Sequence, residues 1–310
     1  MPEKEIKTTE ELLIDIIQET QKEKKSERRW GYFYKCLWAI GIIGFIGLAI
    51  NEKTGIKKDH IAMVTINGVI SPTDDANAKR IIEGLDKAYK NESVKGVIIK
   101  INSPGGSPVQ AGMIHDEIIE FRTQYPSKKT ISIIDDMGAS AGYYIAVAAE
   151  SIYANRASIV GSIGVRMDSF GAVNLMKKVG VERRLYTAGE FKGTLDMFTE
   201  TNPVSVNMLE KSLKNVHDQF IYAVKKGRGD RLDANNKILF SGMFWTGEEG
   251  VDLGLIDGLK SERQLKSKFF DDLSIIDYTP KKSFMSSINK QLAKAMVLLL
   301  EHSPKLSMKL

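Results

Sequence analysis

The sequence predicts an α/β fold, a parallel sheet covered by helices and tethered by a single N-terminal transmembrane helix. Three observations carry that prediction. From about residue 60 onward, near-continuous apolar runs alternate with segments of helical spacing, the pattern of strands buried on both faces and joined by crossover helices. One uncharged run, Cys36 to Ile50, follows a basic cluster. The chain, at 310 residues, is long enough for a core that needs no disulfide or metal.

Residues 1–29 are strongly charged and hold one apolar-periodic stretch, Glu11 to Gln18, which fits a short amphipathic helix or a solvated leader. The predicted membrane span is residues 30–51. Trp30, Tyr32, Phe33 and Tyr34 supply an aromatic belt, and Lys35 lies near enough to the end to snorkel. About 20 apolar residues cross a bilayer. Basic residues are concentrated on the N-terminal flank, from Lys22 to Lys35, and are sparser beyond, at Lys53, Lys57 and Lys58. The positive-inside rule then keeps the N-terminus in the cytosol and exports everything after residue 51. Gly47-Leu-Ala49 resembles a signal-peptide cleavage site, but the late start of the apolar run and its aromatic flank favour an anchor.

Residues 52–60 are a polar linker to an exported domain over 61–280. Within it, Ile61–Ile66 is a strand, 76–90 a helix, Val94–Ile101 a strand, 108–123 a helix and Thr130–Asp135 a strand. That last strand delivers the chain to Ser140, where a helix to about Ala149 begins, followed by the strand Ser151–Ala154. Residues 205–226 have helical spacing suited to a subunit interface. The tail, 281–310, is amphipathic, and its apolar stretch 291–301 is too short to span a bilayer.

Composition excludes several classes. A net charge of +5, from 44 basic and 39 acidic residues, is a mixed surface and not a nucleic-acid stripe. Cys36 is the single cysteine and lies in the apolar run, so no thiol nucleophile is available to the globular part. No cofactor or metal is called for.

Four segments carry chemistry. Ser140, between Ala139 and Ala141, has small neighbours that leave its hydroxyl approachable, and a helix N-terminus supplies amide donors. Serine is equally a favoured N-cap, and the local sequence does not choose between nucleophile and cap. Asn102-Ser-Pro-Gly-Gly106 ends a strand with two glycines, and Gly106, with Gly105 beside it, is the candidate N–H donor to an oxyanion; an ordinary type II turn is the competing reading. Lys192, flanked by Phe191, Leu195 and Met197, can act as a base only in its neutral form, which demands desolvation; alone it reads as a solvated charge. Ser162, in Gly161-Ser-Ile-Gly164, is a hydroxyl able to hold such an amine.

The ordered series Ile101–Gly106, Ala139–Tyr144, Val160–Val165 and Gly189–Lys192, with Phe244–Gly247 and Gly254–Asp257, resembles the signal peptide peptidase A family of membrane-anchored Ser/Lys peptidases over roughly residues 60–260. The resemblance implies a Clp/crotonase-like spiral of ββα units, in the short one-repeat form. It implies Ser140 as nucleophile, Lys192 as general base, Ser162 as the residue orienting the lysine and Gly106 as oxyanion donor. It implies peptide substrates, residual signal peptides above all, and a homo-oligomeric ring whose sites draw serine and lysine from neighbouring subunits. It also implies a cytoplasmic-membrane protein with its peptidase domain outside the cytosol. Two positions depart from the family pattern, Ala141 where glycine is usual and Gly193 where an acidic or hydroxyl residue is common.

Three competing functions remain. A Ser-His-Asp peptidase of Clp type has only His60, His115, His217 and His302 to draw on, and His115, in a charged stretch, is expected to face solvent. A catalytically silent peptide-binding scaffold would suit the two departures. Crotonase-like acyl-CoA chemistry is disfavoured by the exported location.

Overall fold

The computed structural model describes residues 30–44, 58–233 and 235–281. The chain divides into two units at Lys57/Lys58. In the first, residues 30–44 form helix α1, with Trp30 and Phe33 packed edge to face at 5.7 Å. Among the described residues no helix is long and apolar enough to cross a membrane. The remainder of the expected span, 45–51, lies outside the described residues, as do Glu11–Gln18 and the tail from 282.

The second unit is built on a parallel sheet. In chain order it runs β1 (His60–Asn67), α2 (Ala78–Lys90), β2 (Val94–Ser103), α3 (Pro108–Gln124), β3 (Lys129–Ala139), α4 (Ala141–Ala146), β4 (Ser151–Ala154), β5 (Ile159–Gly161), α5 (Val173–Lys178) and α6 (Pro203–Arg228). Then come β6 (Phe244–Thr246), α7 (Gly247–Asp252), β7 (Gly258–Leu259), α8 (Glu262–Phe269) and β8 (Ser274–Asp277). Strand order is β6-β5-β3-β2-β1-β8, with β4 beside β3 and β7 beside β4, and only the β5–β6 pairing is antiparallel.

The near-continuous apolar runs follow from burial on both faces. Val97, Ile99 and Ile101 of β2 join Val64 and Ile66 of β1 in the main core with Leu85, Ile114 and Phe220 from the helices. Ile98 of β2 points the other way, into a smaller cluster with Ile61, Ile131, Leu265 and Phe270. Gly96 is required there, since a Cβ would lie 2.1 Å from the Phe270 ring.

The helices start where their caps dictate. Asn77 accepts from the Arg80 N–H at 3.0 Å, Ser107 from Gln110, and Asn202 from Val204. One expected boundary moves. His60 is not linker but the first residue of β1, fully buried, with its imidazole stacked on Tyr278 and bonded to the Tyr278 hydroxyl at 2.8 Å.

Strand β3 is the element that positions the site. Its first half pairs with β4 through Ile131–Ile134 and its last residues, Met137–Ala139, pair with β5. It therefore reaches past Asp135 and ends directly at Ser140.

Candidate active site

Ser140 occupies the tight turn between β3 and α4 with φ 52° and ψ −122°. A non-glycine residue with positive φ is strained, and a serine so held between strand and helix projects its hydroxyl outward. The cap alternative does not survive: the Ser140 carbonyl accepts the Tyr144 N–H at 2.9 Å, but the side chain makes no capping bond. Its backbone is fixed from the other side by donation of the Ser140 N–H to the Gly161 carbonyl at 2.9 Å.

Gly105 lies against this serine. A Cβ on Gly105 would stand 2.7 Å from the Ser140 Cβ, 3.0 Å from its Oγ and 3.1 Å from the Ala141 nitrogen. Both Gly105 and Gly106 have positive φ, 112° and 149°, which aligns their backbone along the 68–70 segment. Ile70 donates to the Gly105 carbonyl at 2.9 Å and its own carbonyl accepts from Ser107 at 2.7 Å. Buried Ser103 accepts the Gly105 N–H on its Oγ at 3.2 Å. Among the described residues, the N–H groups of Gly106 and Ala141 donate to no other group, so both are free to meet an oxyanion.

Ser162 joins the same wall. It follows β5, whose Gly161 pairs with Ala139, and so stands one residue along the ladder beside Ser140. It too has φ 52°, and its N–H donates to the Met243 carbonyl at 2.8 Å. His217 of α6, which sequence reasoning did not assign to this site, bonds the Ile163 carbonyl through Nε2 at 3.0 Å and ties α6 to the Ser162 loop.

Among the described residues no hydrogen bond joins Lys192 to Ser140, Ser162 or Gly106. The lysine is exposed, in a run of turns over 188–199 whose apolar residues Leu195 and Met197 are themselves exposed, so none of the described residues desolvates it. The turn is nevertheless ordered. The Lys192 N–H donates to the Gly189 carbonyl at 3.2 Å, and Thr194 Oγ1 donates to the Phe191 carbonyl at 2.6 Å and meets buried Ser205 at the start of α6 at 3.2 Å.

His115 also departs from expectation. It is buried, because its ring packs edge-on against Tyr144 at 5.1 Å. Burial holds its imidazole below the ordinary histidine value despite the Asp116 carboxylate at 2.8 Å. No bond links it to Ser140 among the described residues. Neither this histidine nor His60 completes a Ser-His-Asp arrangement.

Comparison with known proteins agrees with this geometry. The model of peptidase family S49 matches residues 122–274, and that of the Clp proteases matches residues 57–162. A protein named Na(+)/H(+) antiporter NhaA from Brucella abortus (strain 2308) is 40% identical over 224 residues, 72% of this chain and 30% of that protein. The putative signal peptide peptidase SppA of Enterococcus faecium is 28% identical over 74% of this chain and 70% of its own. Protease 4 of Haemophilus influenzae (strain ATCC 51907 / DSM 11121 / KW20 / Rd) is 31% identical over 68% of this chain and 34% of its own. The chain thus spans under a third of the Brucella relative.

Proposed function

The chain belongs to peptidase family S49, the signal peptide peptidase A family, and from that premise we propose that it is a membrane-anchored serine endopeptidase working through a Ser140/Lys192 dyad. One observation supports the reading most: Ser140 is held in a strained strand-to-helix turn with its hydroxyl released from capping and free N–H groups beside it.

The reaction is acyl transfer. Ser140 Oγ attacks the scissile carbonyl while its proton passes to the neutral Lys192 amine. The Gly106 N–H, backed by Gly105, takes the oxyanion. Collapse expels the amine, which recovers the proton from Lys192, and water then hydrolyses the acyl-enzyme by the same route. Ser162 orients the lysine. Substrates are residual signal peptides and other short apolar peptides, cleaved at the outer face of the cytoplasmic membrane.

Lys192 reaches Ser140 from a neighbouring subunit in a homo-oligomeric ring. The exposed lysine supports this, as do the exposed apolar side chains of its own turn segment, Leu195 and Met197. Two experiments test the reading. A fluorophosphonate should label the wild-type chain and not Ser140→Ala; labelling at another residue would overturn the nucleophile, and no labelling at all would favour a silent scaffold. Ser140→Ala and Lys192→Ala should each abolish peptide cleavage, and their co-expression in one cell should restore part of it. Full activity in Lys192→Ala would defeat the dyad, and no recovery on co-expression would defeat the shared site.

A further inference from the structure

Away from Ser140, a cleft of about 320 Å³ opens where α3, the turn after α4 and α6 meet. That size is at the low end for ligand pockets. His115 and Arg122 line it from one face of α3, seven residues apart; Lys226 enters from α6, and Arg231 from the 3₁₀ turn after it. Gly227 lets α6 close on the floor, since a Cβ there would lie 2.2 Å from the Val147 carbonyl oxygen.

Two cations of this cleft have carboxylates beside them, Arg122 near Glu150 and Arg231 on Asp257, and Lys226 is left as the cation without an ion pair among the described residues. Glu150 is the one carboxylate in its lining, and its Oε1 accepts from the Thr130 N–H at 3.3 Å. It forms an ion pair with Arg122 at 3.9 Å from Nε, beyond hydrogen-bond reach, and that buried Nε has no hydrogen-bond partner among the described residues. The guanidinium is nevertheless fixed in place by donation from Nη1 to the Ala148 carbonyl at 2.6 Å. Arg231 is held by bonds to the Glu150 and Gly227 carbonyls at 2.9 and 2.6 Å and by its ion pair with Asp257 at 2.9 Å. Lys226 is exposed and forms no ion pair among the described residues. His115 commits Nδ1 to Asp116 and leaves Nε2 without a partner among the described residues.

We propose that this cleft binds a phosphate group, with Arg122 and Lys226 donating to its oxygens, His115 donating from Nε2 once protonated, and Arg231 adding charge behind them. A tetrahedral oxyanion uses donors arriving from several elements, whereas the two coplanar oxygens of a carboxylate need a single fork. Burial holds the His115 imidazole down, Asp116 pulls it up, and Lys226 and Arg122 each push it down by less, so both cations are felt at the ring. Free phosphate and a phospholipid headgroup share this chemistry. The inference is independent of the Ser140/Lys192 assignment.

The test uses the full chain in neutral detergent micelles with ¹³C-labelled histidine, the His115 resonance being assigned from His115→Asn. Inorganic phosphate, titrated at constant ionic strength, should shift the His115 ring signal saturably and raise its apparent pKa. Lys226→Gln, an exposed substitution that leaves the fold intact, should weaken the binding about tenfold. A parallel arm replaces inorganic phosphate with short-chain phosphatidic acid in the micelle. Saturation with inorganic phosphate assigns a soluble ligand, and saturation only with the lipid assigns a headgroup. The proposal is overturned if neither arm saturates, if chloride at the same ionic strength gives the same shift, or if Lys226→Gln binds as the wild type does.

Discussion

Ser140 depends on the glycine opposite it. Gly105 has φ 112°, a conformation that L side chains rarely adopt, and an added methyl would press on the Ser140 side chain and the Ala141 nitrogen together. Neither neighbour can yield, because the Ser140 backbone is bonded to Gly161 on one side and Tyr144 on the other. Gly105→Ala should therefore cost about 1–3 kcal/mol of stability and displace the hydroxyl. Paired thermal melts and fluorophosphonate labelling rates will show it. Wild-type labelling in a folded variant would mean that Gly105 does not shape the site.

At the scale of elements, the segment carrying Lys192 is held by its own turn bonds, by the Ala172 N–H on the Met197 carbonyl and by Thr194. Thr194 fastens its turn to α6, bonding the Phe191 carbonyl and the buried Ser205 hydroxyl. Thr194→Val keeps the shape and removes the hydroxyl, so it should lower kcat several-fold with little change in the melting midpoint, and Thr194→Ser should restore the rate. Equal losses in both variants would assign the residue to packing instead. This latch was not legible in the sequence, because one threonine and one serine eleven residues apart form no pattern until the chain folds. The strands were legible wherever burial on both faces writes an unbroken apolar run, as in β1, β2 and β4. The end of β3 was not: Asp135 and Asp136 are exposed and interrupt the run, yet the ladder resumes at Met137 with β5. The serine turn and the glycine pair were readable because their conformations restrict residue type. What desolvates Lys192 was not, because its apolar neighbours can be covered by the protomer or by a partner, and sequence does not say which.

At the scale of the whole molecule, a buried ionic hub adds to the strand pairings of β6, β7 and β8 that join the later half of the domain to the sheet. Arg228, 2% exposed at the end of α6, donates to both oxygens of Asp257 at 2.7 and 3.1 Å, and Arg231 donates to Oδ1 at 2.9 Å. The Ile152 N–H of β4 completes the set at 2.7 Å. Nearby, the buried Tyr143 hydroxyl of α4 donates to the Leu255 carbonyl at 2.6 Å, so the serine helix is tied to the same loop. Burial by itself would push the Asp257 carboxyl up, but the Arg228 bonds, the Ile152 N–H and Arg231 outweigh it and leave the carboxyl below the ordinary aspartate range. A depressed folded-state value means that Asp257 contributes stability above the unfolded value of about 3.9, lost as pH falls through the lower folded value. Asp257→Asn leaves Arg228 buried without a counter-charge and should cost about 3–5 kcal/mol at neutral pH. Its difference from wild type should shrink in acid, as protonation of the native carboxyl removes the same charge. Urea midpoints of both chains at pH 7 and pH 3 measure this directly. A gap that stayed constant across that range would show that Asp257 holds the loop through shape and neutral hydrogen bonds, with no contribution from its charge.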